Sequence, residues 1–201
     1  MNSSRRAPGR PPLAEVSDLR ARALESVLRH GYDGVTLGRI AEETGVSLRT
    51  LHRYFPAKAD IVWGVVDSAF DALRQGFENT TDDMPLIEAI IAAVVSAFDL
   101  SDDELEVNRA RIRLIVSTPE LQAVQSEMFR LWHGQLVEVI ARRMEETPGA
   151  LLPRAAASAV QAVIMEALAF WAAQDSSEPP AAVVTRALRS LQFISSPDVP
   201  R

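Results

Sequence analysis

The chain has 201 residues and no cysteine, which excludes disulfides, thiolate metal sites and cysteine nucleophiles. Its three histidines, His30, His52 and His133, lie far apart, and no two have the i, i+4 spacing of a helical metal site. A glycine-rich phosphate loop and a Ser/His/Asp arrangement are also missing. We therefore expect no enzyme activity, no metal and no cofactor.

Long apolar runs are absent as well. No eighteen consecutive residues are all apolar, and no basic leader precedes an apolar segment, so nothing predicts a membrane span or a secretion signal. Hydrophobic residues still make up 47% of the chain, which is enough for a substantial core. We expect a cytoplasmic protein without a membrane partner, built as two domains or as one helical unit with two lobes.

The charge is divided unevenly along the chain. The net charge is −6, yet residues 1–60 hold ten Lys and Arg against seven Asp and Glu. The remaining residues hold eleven basic against twenty acidic side chains. A basic front and an acidic rear are typical of a protein that meets phosphate with one end only.

The segment between Thr36 and Lys58 predicts a helix-turn-helix. Thr36 can cap a short helix with apolar residues at helical spacing, and Gly45 can adopt the positive φ of a tight turn after it. Ser47 can cap a second short helix over residues 48–54, which Pro56 ends. A small core would form beneath the two helices from Ile40, Val46 and Leu51.

The second helix of this motif has a polar outer face. Its side chains offer hydrogen-bond donors, a methyl group and an aromatic hydroxyl, which suit the groove of a DNA duplex. A plain helical corner with a solvated polar face is the alternative. The outer-face residues are Arg49, Thr50, Arg53 and Tyr54, with Ser47 and Leu48 at the tip of the helix.

The same stretch resembles the TetR/AcrR family of bacterial transcriptional regulators. The family pattern is matched by Thr36, Ile40-Ala41, Gly45-Val46-Ser47, Thr50-Leu51, Tyr54-Phe55 and Lys58. His52 stands where the family usually has Tyr, and a neutral imidazole can still donate to a phosphate. The resemblance implies DNA contacts from Thr36, Ser47, Leu48, Arg49, Thr50, His52, Arg53, Tyr54 and the phosphate-contacting Lys58.

The resemblance also implies an all-α fold of nine helices. Residues 13–57 would form the DNA-binding domain and residues 58–201 a ligand-binding and dimerisation domain, with one long helix from Lys58 to about Asn79. Residues 1–12 are rich in Pro, Gly and Ser and predict a disordered arm. Its arginines, Arg5, Arg6 and Arg10, can lie along DNA or simply be solvated.

The last two predicted helices are candidates for a dimer interface. One of them is rich in small residues, which allow another helix to approach closely, and both can equally be core packing. In the TetR family these helices form a four-helix interface with their copies, which implies a homodimer and a palindromic operator read one DNA turn apart, on the order of 34 Å. The candidate residues are Ala156, Ala159, Val163, Ala167, Val184, Leu188 and Leu191.

In the family the middle helices enclose a ligand pocket. Large apolar side chains at helical spacing are candidates here, although such a stripe is also typical of ordinary packing. The candidates are Phe98, Ile112, Val116, Met128, Phe129, Trp132, Met165 and Phe170, with Trp171 beside them, together with the arginines Arg109 and Arg113.

Three arginines, Arg109, Arg111 and Arg113, alternate along one predicted helix. Residues 109 and 113 share a side, so at least one arginine should face inward and meet an anion: an internal carboxylate such as Glu166, or a carboxylate or phosphate of a ligand. The segment around them, residues 108–122, resembles the C-terminal domain of regulators that bind acyl-CoA-like ligands, including mycofactocin-associated regulators.

Two functions follow from these observations. The first is a DNA-binding transcriptional regulator, expected to be a repressor, whose binding to double-stranded operator DNA is relieved by a small hydrophobic or acyl-CoA-like effector. The second is a DNA-binding protein of the same fold that acts architecturally, without an effector. They differ in whether any metabolite changes the affinity for DNA.

Overall fold

In the computed structural model, residues 13–194 are described, except for residues 65, 82 and 99–101. The side chains of residues 13–15, 66–71, 102–103, 124–128 and 192–194 also lie outside the description, as does the predicted arm. The described residues form helices and connecting turns, with no strand among them. The helices are α1 (Leu13–His30), α2 (Leu37–Thr44), α3 (Leu48–Tyr54), α4 (Lys58–Trp63), α5 (Val66–Glu78), α6 (Leu86–Ala97), α7 (Asp102–Ser117), α8 (Pro119–Arg143), α9 (Leu151–Ala173) and α10 (Pro180–Ile194).

The expectation of nine helices is wrong in one place. The segment predicted as a single helix from Lys58 to Asn79 forms two helices, α4 and α5, with Gly64 in the turn after α4. Glycine costs roughly 1 kcal/mol in a helix interior relative to alanine, and the periodicity of the apolar residues on either side concealed this break. The described part of the chain therefore contains ten helices.

The chain divides into two compact units, and the boundary lies between Val62 and Trp63. The first unit contains α1, α2, α3 and most of α4. The predicted domain boundary after residue 57 lies just before α4, whereas the observed boundary lies near the end of α4. With eight and seven residues, α2 and α3 are too short to be stable alone, so they depend on packing. Their buried side chains include Ile40, Leu51 and the adjoining Phe55, each 0% exposed.

The second unit has its own hydrophobic core. Helix α5 packs on α6, and α9 packs on α7, α8 and α10. The centre of this core includes Ile140, Ile164, Trp171 and Leu188, none of them more than 1% exposed. Helix α9 is long and apolar enough to cross a membrane by length and composition, but its buried face belongs to this core.

We predict opposite effects of alanine at two glycines. Gly45 has φ +73 and Gly134 lies inside α8, and open space surrounds the position of an added Cβ at both. Gly45→Ala should lower the free energy of unfolding by about 1–2 kcal/mol, because alanine is strained in the left-handed region. Gly134→Ala should raise it by roughly 0.5–1 kcal/mol. Urea unfolding of the full chain measures both, and equal effects of the two substitutions would show that the turn does not require glycine.

Candidate nucleic-acid interface and effector domain

The helix-turn-helix is held by three local devices that the sequence predicted. The Thr36 hydroxyl oxygen accepts a hydrogen bond from the Arg39 amide at 3.3 Å and caps α2. Gly45, in the left-handed region, ends α2, and its amide donates to the carbonyl of Glu42 at 3.2 Å. The Ser47 hydroxyl oxygen accepts from the Thr50 amide at 3.1 Å and caps α3. These bonds fix the direction of α3 relative to α2.

The outer face of α3 is exposed and polar. The side chains of Arg49 and His52 are exposed and form no hydrogen bond or ion pair with the described residues, which leaves their donors available. Arg53 donates to the Tyr54 hydroxyl at 2.5 Å and lies over its ring, with its guanidinium carbon 4.6 Å from the ring centroid. Leu48, at the tip of the helix, is 45% exposed.

Lys58 has an internal role in the first unit. Its ammonium donates to the backbone carbonyl of Tyr32, and to that of Val35 at 3.1 Å. The same ammonium lies 4.1 Å from the centroid of the Tyr32 ring. Lys58 therefore ties the start of α4 to the loop between α1 and α2. The predicted contact with a DNA phosphate would have to use the N–H donor of this ammonium that the two carbonyls leave free.

Glu43 joins α2 to the end of α1, a role that sequence reasoning missed. Its carboxylate lies 2.8 Å from His30 Nε2, accepts from Arg39 Nε at 3.0 Å, and is 3.8 Å from Arg29 Nη1. The pKa of Glu43 is lowered to about 2, first by the buried Ser26 hydroxyl and then by Arg39 and His30. The Ser26 oxygen lies near the carboxylate without the geometry of a full hydrogen bond.

Two of the three alternating arginines cap the end of α9, and their assignment to a ligand pocket stays a prediction. Arg109 is 5% exposed and donates to the carbonyls of Trp171, at 2.9 Å, and Ser176, at 2.6 Å. Arg113 donates to the carbonyl of Ala172 and to the Asp175 carboxylate, the latter at 2.8 Å. Carbonyls at a helix end lack intrahelical partners, so they attract these guanidinium groups.

The other predicted pocket residues lie in different surroundings, and their assignment to a ligand pocket stays a prediction. Val116 and Phe170 are 46% and 53% exposed, so both lie on the surface of this chain. The side chain of Met128 is outside the described residues. Core side chains or partly buried neighbours of the core account for the rest: Phe98, Ile112, Phe129, Trp132, Met165 and Trp171.

A groove between α5 and α8 is one cavity in the described part of the second unit. Its volume is about 240 Å³, and Leu73, Phe77, Trp132 and Leu136 contribute its apolar lining. Arg74, Glu78 and Arg142 lie at the same groove. This volume is below the roughly 300–1,000 Å³ typical of small-molecule pockets. Trp132 is the one predicted pocket residue that lines it.

Two family models match the chain in order. Residues 19–63 match the model of the tetR family of bacterial regulatory proteins, and residues 84–193, more than half of the chain, match the MftR C-terminal domain. The chain belongs to the TetR family. It is therefore a DNA-binding transcriptional regulator by family, with the helix-turn-helix in the first unit and an MftR-type helical domain in the second.

Individual relatives agree with this family. The protein described as mycofactocin biosynthesis transcriptional regulator MftR of Mycobacterium tuberculosis is 29% identical over 161 residues, 80% of each chain. Nucleoid occlusion factor SlmA of Pasteurella multocida is 27% identical over 124 residues, 59% of this chain and 62% of that protein. The structure of FadR from Bacillus subtilis, in complex with stearoyl-CoA, has a TM-score of 0.63 at 19% identity, covering 87% of this chain and 96% of FadR.

The residues predicted for a TetR-type dimer interface divide into two groups. Ala167, Val184 and Leu188 are buried in the core of their own chain and leave little surface for a second copy, so their place in an interface stays a prediction. The stripe on α10 packs against the core of this chain. Ala159 is exposed, and the partly buried residues Ala156, Val163 and Leu191 pack at the edge of the core.

We predict that Glu43 stabilises the DNA-binding unit of this TetR protein in a pH-dependent way. Its pKa is 4.5 in an unfolded chain and about 2 in the folded one, so its contribution is complete above pH 4.5 and is lost as the pH falls towards 2. Glu43→Gln should therefore lower the melting temperature at pH 7 and have a vanishing effect near pH 2. Glu42→Gln, an exposed neighbour on α2, is the control. A Glu43→Gln effect that stays constant between pH 7 and 2 would contradict this role of the ion pairs.

Proposed function

We propose that this TetR-family chain is a repressor that binds palindromic double-stranded operator DNA as a homodimer and releases it when a hydrophobic, acyl-CoA-like effector binds. The observation that carries the DNA-binding part is the outer face of α3, where Arg49 and His52 are exposed with uncommitted donors on a helix that is capped at Ser47. Such a regulator acts in the cytoplasm, where the chromosome lies.

The contacts to DNA divide by chemistry. Arg49 is suited to read base edges in the major groove, because its long side chain is free and an arginine can bond two acceptors of guanine. His52, the Tyr54 hydroxyl and the capping residues Thr36 and Ser47 are suited to phosphates, which position the helix. Lys58 already donates to two backbone carbonyls, so a phosphate contact would be additional to these bonds. Leu48, Thr50 and Arg53 complete the surface.

The homodimer is proposed to form through α9 and α10. Helix α9 keeps exposed residues at helical spacing outside the core, and they include Ala155, Ala159 and the large side chain of Phe170. Small side chains allow a second helix to approach closely, and an exposed phenylalanine gains from being covered. Two-fold symmetry would then require a palindromic operator.

The effector is proposed from the relatives and from the connections of α7. The matched C-terminal domain is that of MftR, and FadR, of similar fold, is described in complex with stearoyl-CoA. Arg109 and Arg113 attach α7 to the end of α9, so a ligand that displaces α7 would also move the helices proposed to pair. An effector must bind the two conformations unequally to act in this way.

The second candidate is an architectural DNA-binding protein without an effector. The match to a nucleoid occlusion factor over 59% of this chain favours it. The two candidates share the same DNA-binding surface and differ only in the response to metabolites.

The first experiment selects bound duplexes from a random pool with the purified full chain and compares variants on the selected site. Arg49→Ala should lower affinity for the selected site by roughly 10–100-fold and reduce the preference over random DNA, because it removes a base contact. Tyr54→Ala should weaken both sequences about equally. Arg142→Ala, at an exposed side chain near the end of α8, is the control for a change of charge alone. An Arg49→Ala variant with equal losses on both DNAs would show that Arg49 contacts the backbone.

The second experiment adds long-chain acyl-CoA to the complex with selected DNA. If acyl-CoA relieves repression, saturating ligand should lower the affinity for operator DNA at least about tenfold. Free coenzyme A at the same concentration is the control for its charge. Unchanged affinity with acyl chains of several lengths would favour the architectural candidate.

A further inference from the structure

Arg111 is a buried arginine on α7 with unused donors. The residue is 9% exposed, and its Nη2 donates to the Asn108 side-chain oxygen at 2.7 Å. Its Nε and Nη1 are buried and have no hydrogen-bond partner within the described structure. A partner that is a neutral amide does not compensate a buried positive charge.

This charge persists at neutral pH. Burial lowers the pKa of Arg111 to about 10, so the guanidinium stays protonated in the cell. No acidic side chain in the described ranges forms an ion pair with it. Removing a guanidinium from water without an anion is among the most costly arrangements in a protein interior.

The neighbouring arginines on α7 have hydrogen-bond acceptors for their guanidinium groups. Arg109 and Arg113 lie on the opposite side of the helix, about 200° away from Arg111, and each bonds at least two acceptors around the end of α9. Arg111 instead has the apolar Ile112 and Ile115, both buried, as helix neighbours. The three arginines therefore serve two different purposes.

We propose that Arg111 binds the anionic group, a carboxylate or a phosphate, of an otherwise apolar effector. The proposal rests on the proposed function and adds to it the residue that recognises the charge of the effector. An anionic oxygen would accept from the unused Nε and Nη1 donors, and charge-assisted bonds of this kind are stronger than neutral ones. The unbalanced charge in the free protein is then the binding determinant for the ligand.

The first test is the stability of the free, full-length protein. Arg111→Met removes the charge with little loss of volume and should raise the melting temperature by roughly 2–8 °C. Arg109→Met, on the same helix and equally buried, should lower it, because carbonyls at the end of α9 lose their donor. A lowered melting temperature for both variants would overturn the proposal, since it would mean that the protein itself holds Arg111.

The second test is calorimetric titration with three probes of equal chain length: decanoate, decanoyl-CoA and decanol. The wild-type chain should bind at least one anionic probe roughly 10–100-fold more tightly than decanol, and Arg111→Met should abolish this difference while retaining decanol binding. Tight binding of decanoate identifies a carboxylate as the anion, whereas tight binding of decanoyl-CoA alone identifies the phosphates.

Two results would contradict the proposal in different ways. An anionic preference that survives Arg111→Met overturns the role of Arg111 and leaves the proposed effector class intact. Failure of the wild-type chain to bind any of the three probes overturns the proposed acyl effector itself, and the assignment of Arg111 to it falls for that reason.

Discussion

A left-handed turn at Gly45 sets the angle between α2 and α3, and the position of the exposed polar face of α3 depends on that angle. The two helices are too short to persist in isolation, so hydrogen-bonded caps at both starts and the buried Ile40 and Leu51 hold them together. Because the backbone and the core already fix α3, its outer side chains need no internal partners. Arg49 can therefore remain exposed with its donors unused by the fold.

The first unit is further braced by charges placed around its loops. Glu43 connects α2 with the end of α1, and Lys58 connects α4 with the loop that follows α1. The Glu43 carboxylate contacts side chains of α1 and α2, and the Lys58 ammonium bonds two carbonyls of the loop. Lys58, predicted as a phosphate contact, thus stabilises the unit that contains the helix-turn-helix.

In the second unit, helix α7 carries hydrogen-bonded arginines on one side and a buried arginine with unused donors on the other. Residues two apart point to opposite sides, so Arg109 and Arg113 reach the carbonyls of α9 while Arg111 does not. The periodic pattern showed that these arginines must face different environments. It did not show which side would meet the end of another helix, because that depends on how α7 and α9 pack.

By itself the sequence determined the helix-turn-helix, its caps at Thr36 and Ser47 and the turn at Gly45, because these depend on residues within four positions of one another. The burial of Val184 and Leu188 within one chain and the surface position of Phe170 were decided by tertiary packing. An apolar stripe is the same whether it covers its own core, a ligand or a second copy. Only the arrangement of distant helices distinguishes these, since burial depends on which surfaces meet.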